Sequence, residues 1–378
     1  MPYEKVSIMI AMIITLFVSV LLNGNFAKDA KVVIIDLDNS AYTRELASRM
    51  DASEYMKVTA VLNVPADPKS LFYQDQAVAV VYFPQGLEKD RYTGMASNIG
   101  VFYDNTNSAQ SSNIKAALNE IIGLDNAAAQ GNIGSTNDSV YGQVQLAARN
   151  LFNPQGSTSN GETLGFLFFF GAMFFTFATI GMVPRLRLAH QLDDILLNGT
   201  PWDLVVRLVP YGGCLIVSWV LGMAVLRIWG DLILAGNMLA FLFIQMFFVM
   251  VTGTISLLFG WTAANPGVAS SRMILFIPGG FILGGMTGPL TFMAPWVVNF
   301  SHVFPLTWEY HFQRDILARG AGLADIASLL GGFLVYSGIV AVLLCLRFYT
   351  ARKALIKRMD REEKKQHRLQ QMASEAAD

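Results

Sequence analysis

The sequence is poor in the residues on which metal proteins and disulfide-stabilised proteins depend. It has two cysteines and four histidines in 378 residues. Both cysteines, Cys214 and Cys345, lie in apolar runs, which excludes a disulfide framework and a cysteine metal site. The histidines form no pair with ligand spacing (His190, His302, His311 and His367). We therefore expect no metal centre.

Charge and catalytic motifs are also scarce. Charged residues make up 15% of the chain, against roughly 25% in soluble domains. The net charge of −1 gives no broad basic surface for nucleic acid. The sequence contains no G-x-x-x-x-G-K-[ST], no G-x-S-x-G and no H-E-x-x-H. We expect no catalytic residue, no cofactor bound by this chain and no nucleic-acid partner.

Apolar residues are abundant instead: they form 53% of the chain, and the mean hydropathy is +0.42. A transmembrane helix needs about 20 mostly apolar residues. Such stretches predict an α-helical polytopic membrane protein with six transmembrane helices, at Val6–Ala27, Thr163–Pro184, Leu208–Leu226, Met238–Trp261, within Met273–Trp308, and at Ile326–Leu346.

Two of these stretches need interpretation. We interpret the first as a retained signal-anchor helix, and not as a cleaved signal peptide, because no small-x-small cleavage site follows it. The fifth is interrupted by prolines and glycines, so we expect a span followed by short, re-entrant helical pieces. The interrupting residues include Pro278, Gly284, Gly285, Gly288 and Pro289.

The distribution of Lys and Arg predicts the orientation of the chain. The tail after Leu346 is rich in both, and Arg185, Arg187, Arg207 and Arg272 lie between predicted spans. With six spans all these residues fall on one side, which the positive-inside rule assigns to the cytoplasm. Both termini are then cytoplasmic. The long segment between the first and second spans is extracytoplasmic.

That long segment predicts an inserted α/β domain over residues 28–160. Strands are expected at Lys31–Leu37, Lys57–Asn63, Gln76–Phe83 and Ile99–Tyr103, with helical patterns at Ser40–Met50 and Pro68–Tyr73. From Ala109 to Leu151 the pattern is helical, with a loop at Gln130–Ser139 and a second helix at Tyr141–Leu151. The remaining divisions are 1–27 for the first helix, 161–347 for the other spans, and 348–378 for a basic cytoplasmic tail.

The cytoplasmic segment 184–204 predicts an amphipathic helix at the inner membrane surface. Leucine and isoleucine alternate with Arg185, Arg187, Gln191, Asp193 and Asp194. Asn198–Pro201 ends this helix, and Thr200 and Pro201 are the predicted N-cap and first residue of the next one. Two interpretations stay open, an ordinary interfacial linker and a docking surface for a soluble cytoplasmic partner.

Three other groups of polar residues are explained more simply by structure than by ligand binding. Asp36 and Asp38 fit the end of a strand running into a turn that caps the next helix. His302 and His311 fit packing and hydrogen bonding at a membrane interface. We expect the third group, near the end of the fifth span, to pair among its own members (Glu309, Arg314 and Asp315).

The order of these elements resembles the permease subunit of ABC-2-type (type V) ABC exporters, in the bacterial branch with a large periplasmic domain. The resemblance covers nearly the whole chain. Motifs that carry it include Asp36–Ser40 with Arg44–Leu46, Phe83–Leu87, Tyr103–Asn107 with Asn113 and Asn119–Ile122, Phe304–Thr307 and Arg319–Gly322. Its cytoplasmic motif is R-E-R-E-x-G-T-x-E-x-L-L-x-x-P, from which this chain keeps Arg185, Arg187, an acid at Asp193 and the apolar pair Ile195–Leu196.

The chain departs from that family in two places. Leu186 and Leu188 replace the glutamates and His190–Gln191 replace Gly-Thr, a degenerate copy that suits one half of a heterodimer. Members also have an amphipathic helix before the first span, whereas only Met1–Lys5 precede it here. We expect either a truncated start or a missing connecting helix.

The resemblance implies an exporter subunit in the bacterial inner membrane that moves a hydrophobic or amphipathic substrate. Its implied partners are a cytoplasmic ABC ATPase, which uses ATP and Mg²⁺ and contacts the 184–204 segment, a second permease copy or paralogue, and a periplasmic membrane-fusion protein. The Pro278–Pro289 region then forms an exit gate, and spans two and five line the substrate path. The alternative is a non-transporting scaffold or receptor whose outer domain binds a periplasmic protein. A membrane-embedded enzyme ranks behind both, because the spans group no acid, base or nucleophile.

Overall fold

The computed structural model describes residues 29–106, 108–131, 141–154, 161–286, 293 and 295–375. The predicted first span, the loop residues 132–139 and the gate residues Gly288 and Pro289 lie outside the described residues. The described chain is mostly helical and includes one five-stranded sheet.

The strands of the sheet are β1 Ala30–Asp36, β2 Met56–Leu62, β3 Ala79–Phe83, β4 Ser97–Asp104 and β5 Val144–Phe152. They lie in the order β2-β1-β3-β4-β5. The β3–β4 pair is antiparallel, and the other three pairs are parallel. Parallel neighbours need a crossover connection, which helices provide here.

Four helical segments accompany the sheet: α1 Ala41–Asp51, the 3₁₀ segment Pro68–Asp75, α2 Leu87–Tyr92 and α3 Ser108–Gly131. Helix α1 begins as predicted at Ser40, whose hydroxyl accepts the Thr43 N–H while the Thr43 hydroxyl accepts the Ser40 N–H. This reciprocal capping box satisfies two free donors. Alternate residues of β1 enter different cores, Val32 and Ile34 one and Val33 and Ile35 the other.

The prediction of a helix at Tyr141–Leu151 is wrong, because Val144–Phe152 is strand β5. This strand lies at the sheet edge and pairs with β4 from Ser97↔Val144 to Asp104↔Phe152. Its Ala-Ala-Arg centre favours a helix locally, but ladder hydrogen bonds and the burial of Val144 and Phe152 override that propensity.

Within the part of the chain that the structure describes, four helical stretches are long and apolar enough to cross a membrane: Glu162–Leu188, Pro201–Trp229, Met238–Gly260 and Ala327–His367. They include the predicted second, third, fourth and sixth spans. Among the described residues between 266 and 319, no helix reaches that length, so the fifth span stays a prediction.

The remaining helices continue the numbering along the chain. They are α4 Glu162–Ile180, α5 Met182–Leu188, α6 Leu192–Asn198, α7 Pro201–Val206, α8 Val209–Trp229, α9 Met238–Gly260, α10 Pro266–Ser271, α11 Ile277–Leu283, α12 Pro295–Ser301, α13 Pro305–Phe312 and α14 Ala327–Glu375. A 3₁₀ turn at Arg272–Leu275 and a π-helical segment at Gln313–Ala318 complete the set.

The chain divides into two compact units. Unit 1 comprises Met1–Phe166, Met223–Phe241 and Gly280–Ala327, and unit 2 comprises Leu167–Gly222, Leu242–Gly279 and Ser328–Asp378. In unit 2, α4 and α8 approach closely at glycines. A Cβ at Gly171 would lie 2.1 Å from the Trp219 Nε1 atom, and one at Gly222 would lie 2.6 Å from Leu167. Small residues permit this packing in membrane helices.

Candidate functional sites

In unit 2, the predicted coupling segment 184–204 forms three short helices. The prediction of one helix running to Asn198 is wrong, because α5 ends at Leu188 and α6 begins at Leu192. His190 between them has a φ of +57°, a left-handed conformation that no helix accommodates. The start of α7 is as predicted: Pro201 is its first residue, and the Asp203 carboxylate accepts the Thr200 N–H at 2.6 Å.

The two arginines of this segment bind backbone carbonyls. The Arg187 guanidinium donates to the carbonyls of Trp261 and Ala263 at 2.5 and 2.8 Å. Arg185 donates to the carbonyls of Gly181 and Ala178. Cations at the carboxyl end of a helix satisfy free carbonyls and complement its dipole. Both arginines therefore hold the short helices to the ends of longer ones.

The acidic residues of the segment face outward. Leu192, Ile195 and Leu196 bury one face of α6, which leaves Gln191, Asp193 and Asp194 exposed on the other. Asp194 accepts a hydrogen bond from Asn198 at 2.7 Å. The side chains of Gln191 and Asp193 have no partner among the described residues, so they are available for contact.

Helix α14 supports this acidic face from behind. Leu344 and Phe348 are buried in the same apolar cluster as Leu192 and Leu196. One turn further, the Arg352 guanidinium donates to the Leu197 carbonyl at 2.6 Å. The last long helix and α6 are thus joined by apolar packing and by a charged hydrogen bond, which makes the acidic face rigid.

In unit 1, two of the predicted gate glycines contact α13 or the residues after it. A Cβ at Gly284 would lie 2.8 Å from the Tyr310 ring. Gly285, at a φ of +82°, accepts a hydrogen bond from Arg314 through its carbonyl at 3.0 Å. Pro278 is the second residue of α11. The structure therefore places Gly284 and Gly285 in a tightly packed contact.

The same arginine begins a buried ion network that reaches the α/β region. Arg314 pairs with Asp75 at 2.9 Å. Arg319 pairs with Asp75 at 2.6 Å, with Asp104 at 2.5 Å and with Asp315 at 2.6 Å. Because Asp75 and Asp104 come from the α/β region, this network, hereafter the Arg319 network, fixes that region to the 305–319 segment.

Irregular backbone on both sides positions the network. Gln74 and Asp75 have φ values of +56° and +54°, at a cost of order 1–3 kcal/mol each. The Gln74 N–H donates to both oxygens of Asp315, at 3.3 and 3.2 Å. On the other side Asp315 lies in the π-helical segment, a form of helix often found at functional sites.

The electrostatic environments of Asp75 and Asp315 differ. Burial acts to raise the pKa of the Asp75 carboxyl, but Arg314 and Arg319 outweigh burial and lower it well below its usual value. For Asp315, burial dominates and raises the pKa, although Arg319 opposes it. The pKa values of the two carboxyls are thus shifted in opposite directions.

The other polar residues singled out from the sequence have structural partners. Asp36 accepts the Asp38 and Asn39 N–H groups and the Thr43 hydroxyl, which confirms the capping turn. Asp38 accepts the Gly86 and Glu88 N–H groups. No group of metal-ligating side chains occurs within the described ranges.

The two histidines near the end of the predicted fifth span lie together. Their rings stack 5.5 Å apart. A nitrogen of His302 bonds the Val298 carbonyl, and His311 Nδ1 lies 3.3 Å from Asp75. This second contact adds His311 to the Arg319 network.

Sequence reasoning anticipated part of this network. Arg314 and Asp315 were expected to pair within their own stretch, whereas Arg314 binds Asp75 and Asp315 binds Arg319. Asp75 was not predicted to have a partner at all. Its partners lie more than 200 residues away in the chain, so no local spacing could indicate them.

The described residues form a polytopic membrane protein: they include four membrane-length apolar helices, a mixed α/β region and short helices exposed on one face. No catalytic centre is evident among them. The chain belongs to the ABC-2 family of transporter proteins, whose sequence profile matches residues 6–347. No curated protein matches the chain.

Proposed function

We propose that the chain is the permease subunit of an ABC exporter in the bacterial inner membrane. It works as a dimer with a second copy or a paralogue, and a separate ABC ATPase binds its α5–α7 helices. Family membership supports the transporter class. The observation that carries the coupling is the exposed acidic face of α6, held rigidly by α14.

The coupling follows from this rigidity. Arg187 ties α5 to the end of α9, and Arg352 ties α6 to α14. A displacement imposed on the acidic face by ATP-driven closure of the partner is transmitted to these long helices. The transmitted motion shifts the populations of inward-open and outward-open states.

The proposed substrate is hydrophobic or amphipathic, drug-like or lipid-like. An apolar cavity of about 480 Å³ lies between α4 and α8 in unit 2, lined by residues that include Phe174, Phe175, Tyr211 and Leu215. Its size falls in the usual range for small-molecule pockets. The Gly284–Gly285 contact is the proposed exit gate, and the α/β region is the proposed contact for a periplasmic membrane-fusion protein.

The test uses the proposed ATPase partner, to be sought as a Walker-motif subunit encoded beside this chain. We expect the two to co-purify and the chain to stimulate ATP hydrolysis in lipid. Asp193→Lys with Asp194→Lys should weaken co-purification at least tenfold, because charge reversal at an interface repels a basic partner. The matched control is Asn119→Lys with Glu120→Lys, on the exposed face of α3.

Two results would contradict the proposal. Unchanged co-purification of the Asp193/Asp194 variant would exclude the acidic face as the contact. Absence of stimulation by the wild-type chain would favour the scaffold, in which the α/β region binds a partner without transport.

A further inference from the structure

The Arg319 network contains more buried negative than positive charge. Its carboxylates belong to Asp75, Asp104 and Asp315, and its guanidiniums to Arg314 and Arg319. The side chains of Asp104, Asp315 and Arg319 are at most 3% exposed, and those of Asp75 and Arg314 18% and 15%. Three carboxylates against two guanidiniums leave one uncompensated negative charge, which is expensive away from water.

The surroundings do not remove this excess from the buried interior. Glu309 is fully buried on α13 and adds another carboxyl. The neighbouring lysines are exposed: Lys31 donates to the Asp75 carbonyl at 3.4 Å, and Lys69 shares a cavity of about 150 Å³ with Arg319. Exposed ammonium groups are screened by water. The other titratable groups nearby, among the described residues, are His302, His311, Tyr73, Tyr310 and the exposed Asp325.

A proton restores the balance, and the network has a place for it. Asp315 Oδ1 accepts from Arg319 at 2.6 Å and from the Gln74 N–H at 3.3 Å, whereas Oδ2 accepts, among the described residues, only the same Gln74 N–H, at 3.2 Å. The alternative place for the proton is His311, since its Nδ1 lies 3.3 Å from Asp75 and its buried Nε2 has no hydrogen-bond partner among the described residues. Asp104 accepts two bonds from Arg319 and one from the Thr106 N–H, so its oxygens are occupied by N–H donors.

We propose that the Arg319 network is a proton-binding site, which holds one proton on Asp315 while the α/β region is bound to the 305–319 segment and releases it when the two separate. The ligand is a proton. The site acts in the exit half of the chain under the proposed function, but its existence does not depend on transport.

The direction of the pH dependence follows from Asp315. Burial raises the pKa of its carboxyl in the closed contact above the value in water. Such a group contributes its full stabilisation at low pH, and the contribution is lost as the pH rises through the raised pKa. Between the ordinary carboxyl pKa of the separated segments and the raised pKa of the closed contact, the opening equilibrium grows up to about tenfold per pH unit for one proton, and above the raised pKa it levels off. The pKa of Asp75 is lowered, so protonation of Asp75 weakens the contact only at strongly acidic pH.

Hydrogen exchange of the full chain in lipid nanodiscs tests the proposal. Protection factors, corrected for the intrinsic pH dependence of exchange, are measured for the Pro68–Asp75 peptide from about pH 5 to about pH 8. In the wild type we expect this protection to fall as the pH rises. Protection of the β3 peptide Ala79–Phe83, in the sheet core, should stay constant and reports that the domain remains folded.

Variants separate the proton site from mere ion pairing. In Asp315→Asn the side chain is neutral at every pH, so the protection of the Pro68–Asp75 peptide should be high and independent of pH. Asp104→Asn removes a required charge and should lower protection at every pH by tenfold or more. His311→Gln should keep the pH dependence if the proton resides on Asp315.

Three outcomes would overturn the proposal. The first is a wild-type protection factor that does not change with pH, and it needs no variant. The second is Asp315→Asn losing protection as Asp104→Asn does, with β3 intact, because Asp315 would then act as a carboxylate. The third is loss of the pH dependence in His311→Gln with Asp315→Asn still titrating, which would place the proton on the imidazole.

Discussion

Replacing Arg319 by methionine should release the α/β region from the 305–319 segment. The guanidinium donates four hydrogen bonds to carboxylates: two to Asp104 at 3.0 and 2.5 Å, one to Asp75 at 2.6 Å and one to Asp315 at 2.6 Å. Methionine fills a similar volume and makes none of them.

The magnitude follows from what the substitution leaves behind. Hydrogen bonds to charged groups contribute about 1.5–3 kcal/mol each, but much of that sum offsets the cost of dehydrating the guanidinium. Removal of one partner from a buried ion pair costs about 3–5 kcal/mol. Arg319→Met leaves three carboxylates with Arg314 as the one remaining guanidinium of the network. We therefore expect the contact between the α/β region and the 305–319 segment to lose about 3–5 kcal/mol of stability.

The assay is the protection of the Pro68–Asp75 peptide against hydrogen exchange at constant pH. A loss of about 3–5 kcal/mol corresponds to a fall of roughly 10²- to 10³-fold or more in the protection factor. Arg44→Met is the control, because the described partner of this exposed arginine is Asn39, outside the Arg319 network. Adding Asp104→Asn to Arg319→Met should restore about 1 kcal/mol or more, since one unpaired buried carboxylate is removed.

A loss of stability below about 1 kcal/mol in Arg319→Met, the value typical of an exposed ion pair, would show that Arg319 does not hold the contact. A double variant made worse by Asp104→Asn would show that the carboxylate is not the source of the cost.

Three further outcomes are expected. Gly284→Ala should destabilise the contact with Tyr310 by about 1–3 kcal/mol through overpacking, because the added Cβ would lie 2.3 Å from the Gly280 carbonyl oxygen. The control Gly331→Ala should cause no such loss, because there is open space around Gly331. Thermal unfolding distinguishes the two variants. Arg352→Ala should weaken ATP-driven transport more than Lys353→Ala does, because Arg352, and not Lys353, donates a hydrogen bond to the Leu197 carbonyl. A fragment of residues 28–160 should be soluble, show mixed α/β circular dichroism and unfold cooperatively, because both cores of the sheet come from within it; an aggregated product would show that it depends on the rest of the chain.

Several elements were predictable because their signals are local. A long apolar run specifies a membrane-length helix whatever surrounds it, and four such predictions match helices of the structure. The Ser40 cap depends on residues three positions apart, as does the start of α7. The break at His190 was missed, since its left-handed backbone depends on the packing of α5 and α6.

The class of protein was evident before folding was considered, because hydrophobicity, helix caps and the order of elements depend on neighbouring residues and need no tertiary contact. The strand at Val144–Phe152 and the buried network shared by Asp75, Asp104 and Arg319 became evident only from the folded chain. Both depend on partners distant in the chain: a ladder supplied by β4 overrides local helix propensity, and a buried arginine is stable only where folding brings carboxylates to it.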